Sequence, residues 1–139
     1  MVTDKIHACY PNVKVIVGAL MNAMSDFAEG LLSLPIHADG MSFHHHYPYP
    51  GQNYKIDEKM NWLRARTNLP LYLSETSMIY MEENEENEIA QAEYADYLKN
   101  VRGVETVIWY GGSFNGWRNS DLLRGDKSKK PAWYKRMRE

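Results

Sequence analysis

The sequence predicts an α/β fold built on a parallel sheet. Three observations carry that expectation. Short β-branched or apolar runs recur along the chain, and stretches with apolar residues at helical spacing separate them. Successive runs lie roughly 25 to 35 residues apart, which is room for a crossover helix between parallel strands. The whole chain, residues 1–139, is expected to form one partial domain of this kind.

The elements follow in order. Residues 4–10 suit the tail of an earlier helix. Val13 to Gly18 is a β-branched run closed by glycine and reads as the first strand. Met24 to Leu34 places Met24, Phe27, Leu31 and Leu34 at helical spacing, with Ser25 and Asp26 suited to its N-terminus and Pro35 ending it. Asp39 to His44 reads as the second strand. Asp57 to Thr67 is a helix with Ile56, Met60 and Leu63 on one face. Leu69 to Thr76 reads as the third strand, opened by Pro70 and ending on Glu75. Glu86 to Val101 is the clearest helix, with Ala90, Tyr94, Tyr97, Leu98 and Val101 inward and Gly103 as its stop. Thr106 to Tyr110 is the fourth strand, and Pro131 starts a C-terminal helix over Ala132 to Arg138.

Composition narrows the function classes. The chain has 139 residues, 44% apolar and 24% charged, which suits one sizeable core. A net charge of −2 gives no basic surface for nucleic acid or an anionic membrane. The single cysteine, Cys9, permits no internal disulfide. No signal-peptide core and no apolar run of membrane-spanning length is present, so the sequence points to no compartment. Four Trp and ten Tyr are suited to flat or ring-shaped ligands, or to core packing.

Two architectures fit the alternation. One is a small doubly wound sheet, and the other is half of a (β/α)8 barrel, since a full barrel takes about 250 residues. Parallel α/β folds place their chemistry at the C-terminal ends of the strands. There the second strand runs into His44-His45-His46-Tyr47, the third into Ser74-Glu75-Thr76, and the fourth into Trp109-Tyr110-Gly111-Gly112. Glu75 is either a catalytic carboxylate or a solvent-exposed strand-to-loop residue. Together the set suits a sugar site. A carboxylate can attack or stabilise an oxocarbenium-like anomeric carbon, and a Trp face can stack on a pyranose. His and Tyr can bond hydroxyls and orient the carboxylate. Strand alternation puts at most His44 and His46 on one face. With no HExxH or CxxC beside them, no metal is expected, although a metal-dependent hydrolase built on His44 and His46 is a third reading.

These motifs resemble the C-terminal half of the retaining (β/α)8-barrel glycoside hydrolases, whose nucleophile is a Glu on strand seven. Val15 to Gly18 resembles strand five of that family, Asp39 to Tyr47 strand six, Leu71 to Thr76 strand seven, and Val107 to Trp109 strand eight. Ser120 to Leu123 and Lys130 to Tyr134 are similar to the end of such barrels. The resemblance implies half of a TIM barrel, four parallel β/α units, with Glu75 as nucleophile. It implies His44, His46, Tyr47, Trp109 and Trp117 as substrate-binding residues, a carbohydrate substrate and no cofactor. Strands one to four of the family, with their Asn-Glu acid/base, have no counterpart here. Asn84-Glu85 and Asn87-Glu88 repeat that dipeptide, but their acidic context reads as a solvated helix start. A half barrel leaves strand edges uncovered, so self-association or a complementary N-terminal half-barrel chain is expected. The alternative of another class is a non-catalytic carbohydrate-binding or interaction protein.

Overall fold

The computed structural model describes residues 2–47, 56–78, 82–111 and 121–136. Its elements run α1 (Val2–Cys9), β1 (Ile16–Leu20), α2 (Asp26–Leu32), β2 (Gly40–Tyr47), α3 (Asp57–Arg64), β3 (Leu71–Met78), α4 (Glu85–Asn100), β4 (Thr106–Trp109) and α5 (Pro131–Arg136). The four strands form one parallel sheet in the order β1-β2-β3-β4. The links from Glu105 N–H to the Leu71 carbonyl and from Tyr110 N–H to the Thr76 carbonyl advance together along both strands, as parallel strands require. Sequential order without reversal is the order of a barrel segment and not of a doubly wound sheet.

The chain divides into two compact units. The first comprises Met1–His45, Lys55–Ser74 and Gly103–Thr106. Here β1 and β2 pair from Ile16 opposite Gly40 to Leu20 opposite Phe43, with an irregularity between Gly18 and Leu20. Gly18 is required there. Its φ is +116°, and a Cβ would stand 2.5 Å from the Ser42 carbonyl oxygen. The neighbouring Ala19 N–H donates to Ser42 Oγ at 2.7 Å, which holds the kink. Met41, Phe43, Ile56, Leu63, Leu71 and Leu73 are fully buried and form the core of this unit. Asp39 joins α1 to the strands: its carboxylate accepts from Val15 N–H at 2.7 Å and lies 2.9 Å from His7 Nε2. The Val15 N–H, with His7 second, holds that carboxyl below the usual range.

Of the apolar residues at helical spacing, Phe27 of α2 is 72% exposed and Leu34, beyond its end, 60%, while Ala28 is the buried residue of the helix. As expected, the N-terminus is set by Ser25, whose Oγ accepts from Ala28 N–H at 3.3 Å. That cap fixes the phase of the helix, and Met24 lies before it.

The second unit comprises His46–Tyr54, Glu75–Arg102 and Val107–Glu139. Helix α4 is its centre. Asn84 caps it through Asn87 N–H at 2.9 Å. Its buried face holds Tyr94 and Leu98 as expected from periodicity, but also Glu88, Gln91, Ala92 and Ala95, while Ala90, Tyr97 and Val101 are half-buried. The solvated reading of Asn87-Glu88 therefore fails at Glu88. Arg124 donates to both its carboxylate oxygens, at 2.6 and 3.0 Å. This fork holds the guanidinium's pKa above its ordinary value. Lys130, also buried, donates to Gln91 Oε1 at 3.1 Å. Burial pulls its ammonium pKa below the ordinary lysine value, with Glu88 opposing. These contacts tie residues 121–130 to α4 and deliver Pro131, the first residue of α5.

Candidate active site

Strand β3 positions the carboxylate. Glu75 is not its last residue; the strand continues to Met78. The reason lies in the two residues that follow. Thr76 and Ser77 are fully buried, and each hydroxyl has a partner in the second unit. Thr76 Oγ1 and the Tyr94 hydroxyl of α4 share a hydrogen bond of 2.6 Å. Ser77 Oγ lies 2.9 Å from His46 Nδ1. With Tyr110 N–H bonded to the Thr76 carbonyl at 2.8 Å, the ladder extends past Glu75.

Alternation then sorts the side chains. Thr76 faces α4, so Glu75 and Ser77 project from the opposite face. His46, near the end of β2, meets both. Its Nε2 lies 3.1 Å from Glu75 Oε1 while its Nδ1 meets Ser77. The His46 side chain is only 9% exposed and that of Glu75 23%. The ring of Tyr110, just beyond β4, stands edge-on to His46 at 6.0 Å between centroids. A part-exposed carboxylate is thus held by a largely enclosed imidazole, which a phenol ring braces from the side.

The neighbouring residue on β4 has other company. Trp109 packs 4.5 Å from Trp133 of α5 and 6.0 Å from Tyr94, which itself stacks near-parallel on Tyr97. Burial raises the Tyr94 hydroxyl's pKa far above the usual phenol value, with Thr76 opposing. This aromatic group, with the Thr76–Tyr94 bond, fixes β3 against α4.

Of the residues named from sequence, Glu75 and His46 are brought together. Trp109 meets the rings of α4 and α5, and it is Tyr110 that stands beside His46. His44 lies in the first unit, where its carbonyl accepts from Lys59 Nζ at 3.2 Å. Burial lowers the Lys59 pKa from its ordinary value. Tyr47 is the last residue of β2. Trp117 lies outside the described residues. Ser77 escaped sequence reasoning, and Tyr110 entered it only within the fourth strand's end, with no role of its own. Their signal was weak but present: Ser77 is two residues from Glu75 and shares its face, and Tyr110 alternates with Trp109.

No protein-family model matches the sequence, and no curated protein matches it. Solved structures do. A GH39 beta-xylosidase from Caulobacter crescentus superposes with a TM-score of 0.64 at 18% identity, over 96% of this chain and 34% of that one. An FMN-binding beta-glucuronidase from Facaelibacterium prausnitzii L2-6 gives 0.59 at 18% identity, over 96% and 24%. At such identity the likeness shows the fold, an α/β array consistent with half of a TIM barrel. This chain spans about a third and a quarter of the two structures.

Proposed function

We propose that this chain is the nucleophile-bearing half of a retaining glycoside hydrolase, with Glu75 as the nucleophile. The observation that carries the reading is the His46–Glu75 pair at 3.1 Å, on a carboxylate that keeps 23% exposure. The imidazole of His46 orients that carboxylate while leaving part of it open to solvent. The likeness to two structures named as glycosidases points the same way.

The chemistry is a double displacement. A Glu75 oxygen attacks the anomeric carbon as the bond to the leaving-group oxygen breaks, giving a glycosyl ester. Water then attacks the same carbon, and the carboxylate departs with its electron pair, so configuration is retained. Tyr110 and, of the residues expected from sequence, His44, Tyr47 and Trp117 would contact the sugar, while Trp109 packs on α4 and α5. A proton donor about 5 Å from the nucleophile is also needed for ordinary glycosides. It comes from a complementary half barrel or from self-association.

An activated leaving group removes that need, because dinitrophenolate departs without a proton. We therefore expect the chain alone to release dinitrophenol slowly from dinitrophenyl β-xyloside or β-glucuronide. Glu75→Gln keeps the shape and hydrogen bonding but removes the attacking charge. It should abolish release while sugar binding by calorimetry persists. Release unaffected by Glu75→Gln would refute the assignment. Sugar binding with no release from any activated glycoside would favour the non-catalytic carbohydrate-binding alternative.

A further inference from the structure

We infer that Ser77 is a positioning residue for Glu75, acting through His46 by fixing which imidazole nitrogen carries the proton. This rests on the proposed role of Glu75 and adds a residue to that site. An ionised carboxylate only accepts, so the His46 nitrogen 3.1 Å from Glu75 Oε1 must donate, which places a proton on Nε2. In the neutral ring Nδ1 is then an acceptor. At 2.9 Å from it stands Ser77 Oγ, on a side chain that is fully buried. A hydroxyl rotates to suit its partner, and here it donates to Nδ1. The chain of bonds runs Ser77 O–H to Nδ1, then Nε2–H to Glu75.

The arrangement superficially matches a serine–histidine–carboxylate triad, but the roles are inverted. In a hydrolytic triad the serine is exposed to substrate and the carboxylate is buried behind the imidazole. Here the serine has no exposure and the carboxylate keeps 23%. Ser77 therefore occupies the orienting position and Glu75 the reacting one. Tyr110, edge-on to the imidazole at 6.0 Å, limits tilting of the ring while Ser77 limits its flipping. The consequence is a carboxylate oxygen held at a fixed place by a donor that itself carries no net positive charge.

The test reads the imidazole directly and needs no turnover. Nitrogen-15 histidine is incorporated and long-range proton–nitrogen spectra are recorded at neutral pH, with His46 assigned by its loss in His46→Asn. The wild-type chain should show a protonated Nε2 and an unprotonated, hydrogen-bonded Nδ1. In Ser77→Ala the Nδ1 resonance should move downfield to the range of a nitrogen without a donor, and the slowly exchanging Nε2–H signal should be lost. Ser77→Thr, which restores a hydroxyl, should recover the wild-type pattern. A wild-type ring protonated on Nδ1, or on both nitrogens, overturns the inference. So does a folded Ser77→Ala with an unchanged Nδ1. If the pattern is as expected but Glu75 fails the dinitrophenyl glycoside test, the nucleophile assignment fails and the tautomer lock stands.

Discussion

Tyr94→Phe removes one oxygen atom and tests what holds β3 against α4. In the folded chain that oxygen lies 2.6 Å from Thr76 Oγ1, with Thr76 fully buried and Tyr94 nearly so. A buried hydrogen bond between neutral groups contributes about 1 kcal/mol net. Depriving a buried hydroxyl of its partner raises the loss to about 1–3 kcal/mol. For a chain of this length that is on the order of 3–10 °C in Tm. Thr76→Val should cost a similar amount, while the double variant should cost less than the sum, with a coupling of about 1 kcal/mol. The pH dependence gives an independent check. Burial raises the Tyr94 pKa above its ordinary 10.0, so above that pH the unfolded chain releases a proton that the folded chain keeps. Stability then falls as pH rises, by up to about 1.4 kcal/mol per pH unit from this one group. Urea unfolding of wild type and Tyr94→Phe, at neutral pH and above pH 10, isolates the contribution from the other tyrosines. The difference between the two proteins should shrink with rising pH. A neutral-pH loss below about 0.3 kcal/mol, or a difference that does not change with pH, would refute the reasoning.

Other expectations follow from single contacts. Gly18→Ala should destabilise by about 2 kcal/mol or more, because it forces a side chain into a positive-φ position against the Ser42 carbonyl; urea unfolding measures it. Gly40→Ala should cost about 1–3 kcal/mol in the same assay, since its Cβ would overlap the Tyr72 ring. Glu88→Gln should weaken the Arg124 fork and speed limited proteolysis between residues 121 and 130. Replacing the exposed Phe27 and Met24 by serine should change stability by no more than about 0.5 kcal/mol. It should also reduce self-association in sedimentation and hydrophobic-dye binding, if that face seats another chain.

The architecture was legible because it rests on periodicity. Apolar runs at crossover spacing predicted four strands and their helices, and each is present with ends shifted by a few residues. Periodicity reports which residues share a face, however, and not what covers that face. Hence the helical spacing of Phe27 and Leu34 was legible, but their exposure was not. The converse error fell at Glu88, where charge suggested water but Arg124, far along the chain, supplies a partner. Sequence placed Glu75 at a strand's end because Thr76 and Ser77 look like loop residues. Their hydroxyls are satisfied by Tyr94 and His46, which lets two polar residues stay inside a strand. The strand-end pattern suggested a His or Tyr beside Glu75 without saying which; the structure sets His46 there. The rank of Tyr110 over Trp109 beside His46 was not foreseen, since alternation gives opposite faces without saying which face holds the site.

The central claim is that Glu75 attacks an anomeric carbon. A 2-deoxy-2-fluoro glycoside with a dinitrophenyl leaving group forms the glycosyl ester without help from a proton donor and hydrolyses it slowly, so the intermediate accumulates. Mass spectrometry of the digested protein should find one added fluorosugar, on the peptide that contains Glu75, and none in Glu75→Gln. A sugar attached to a different carboxylate, or no adduct despite measured binding of the same glycoside, would contradict the account.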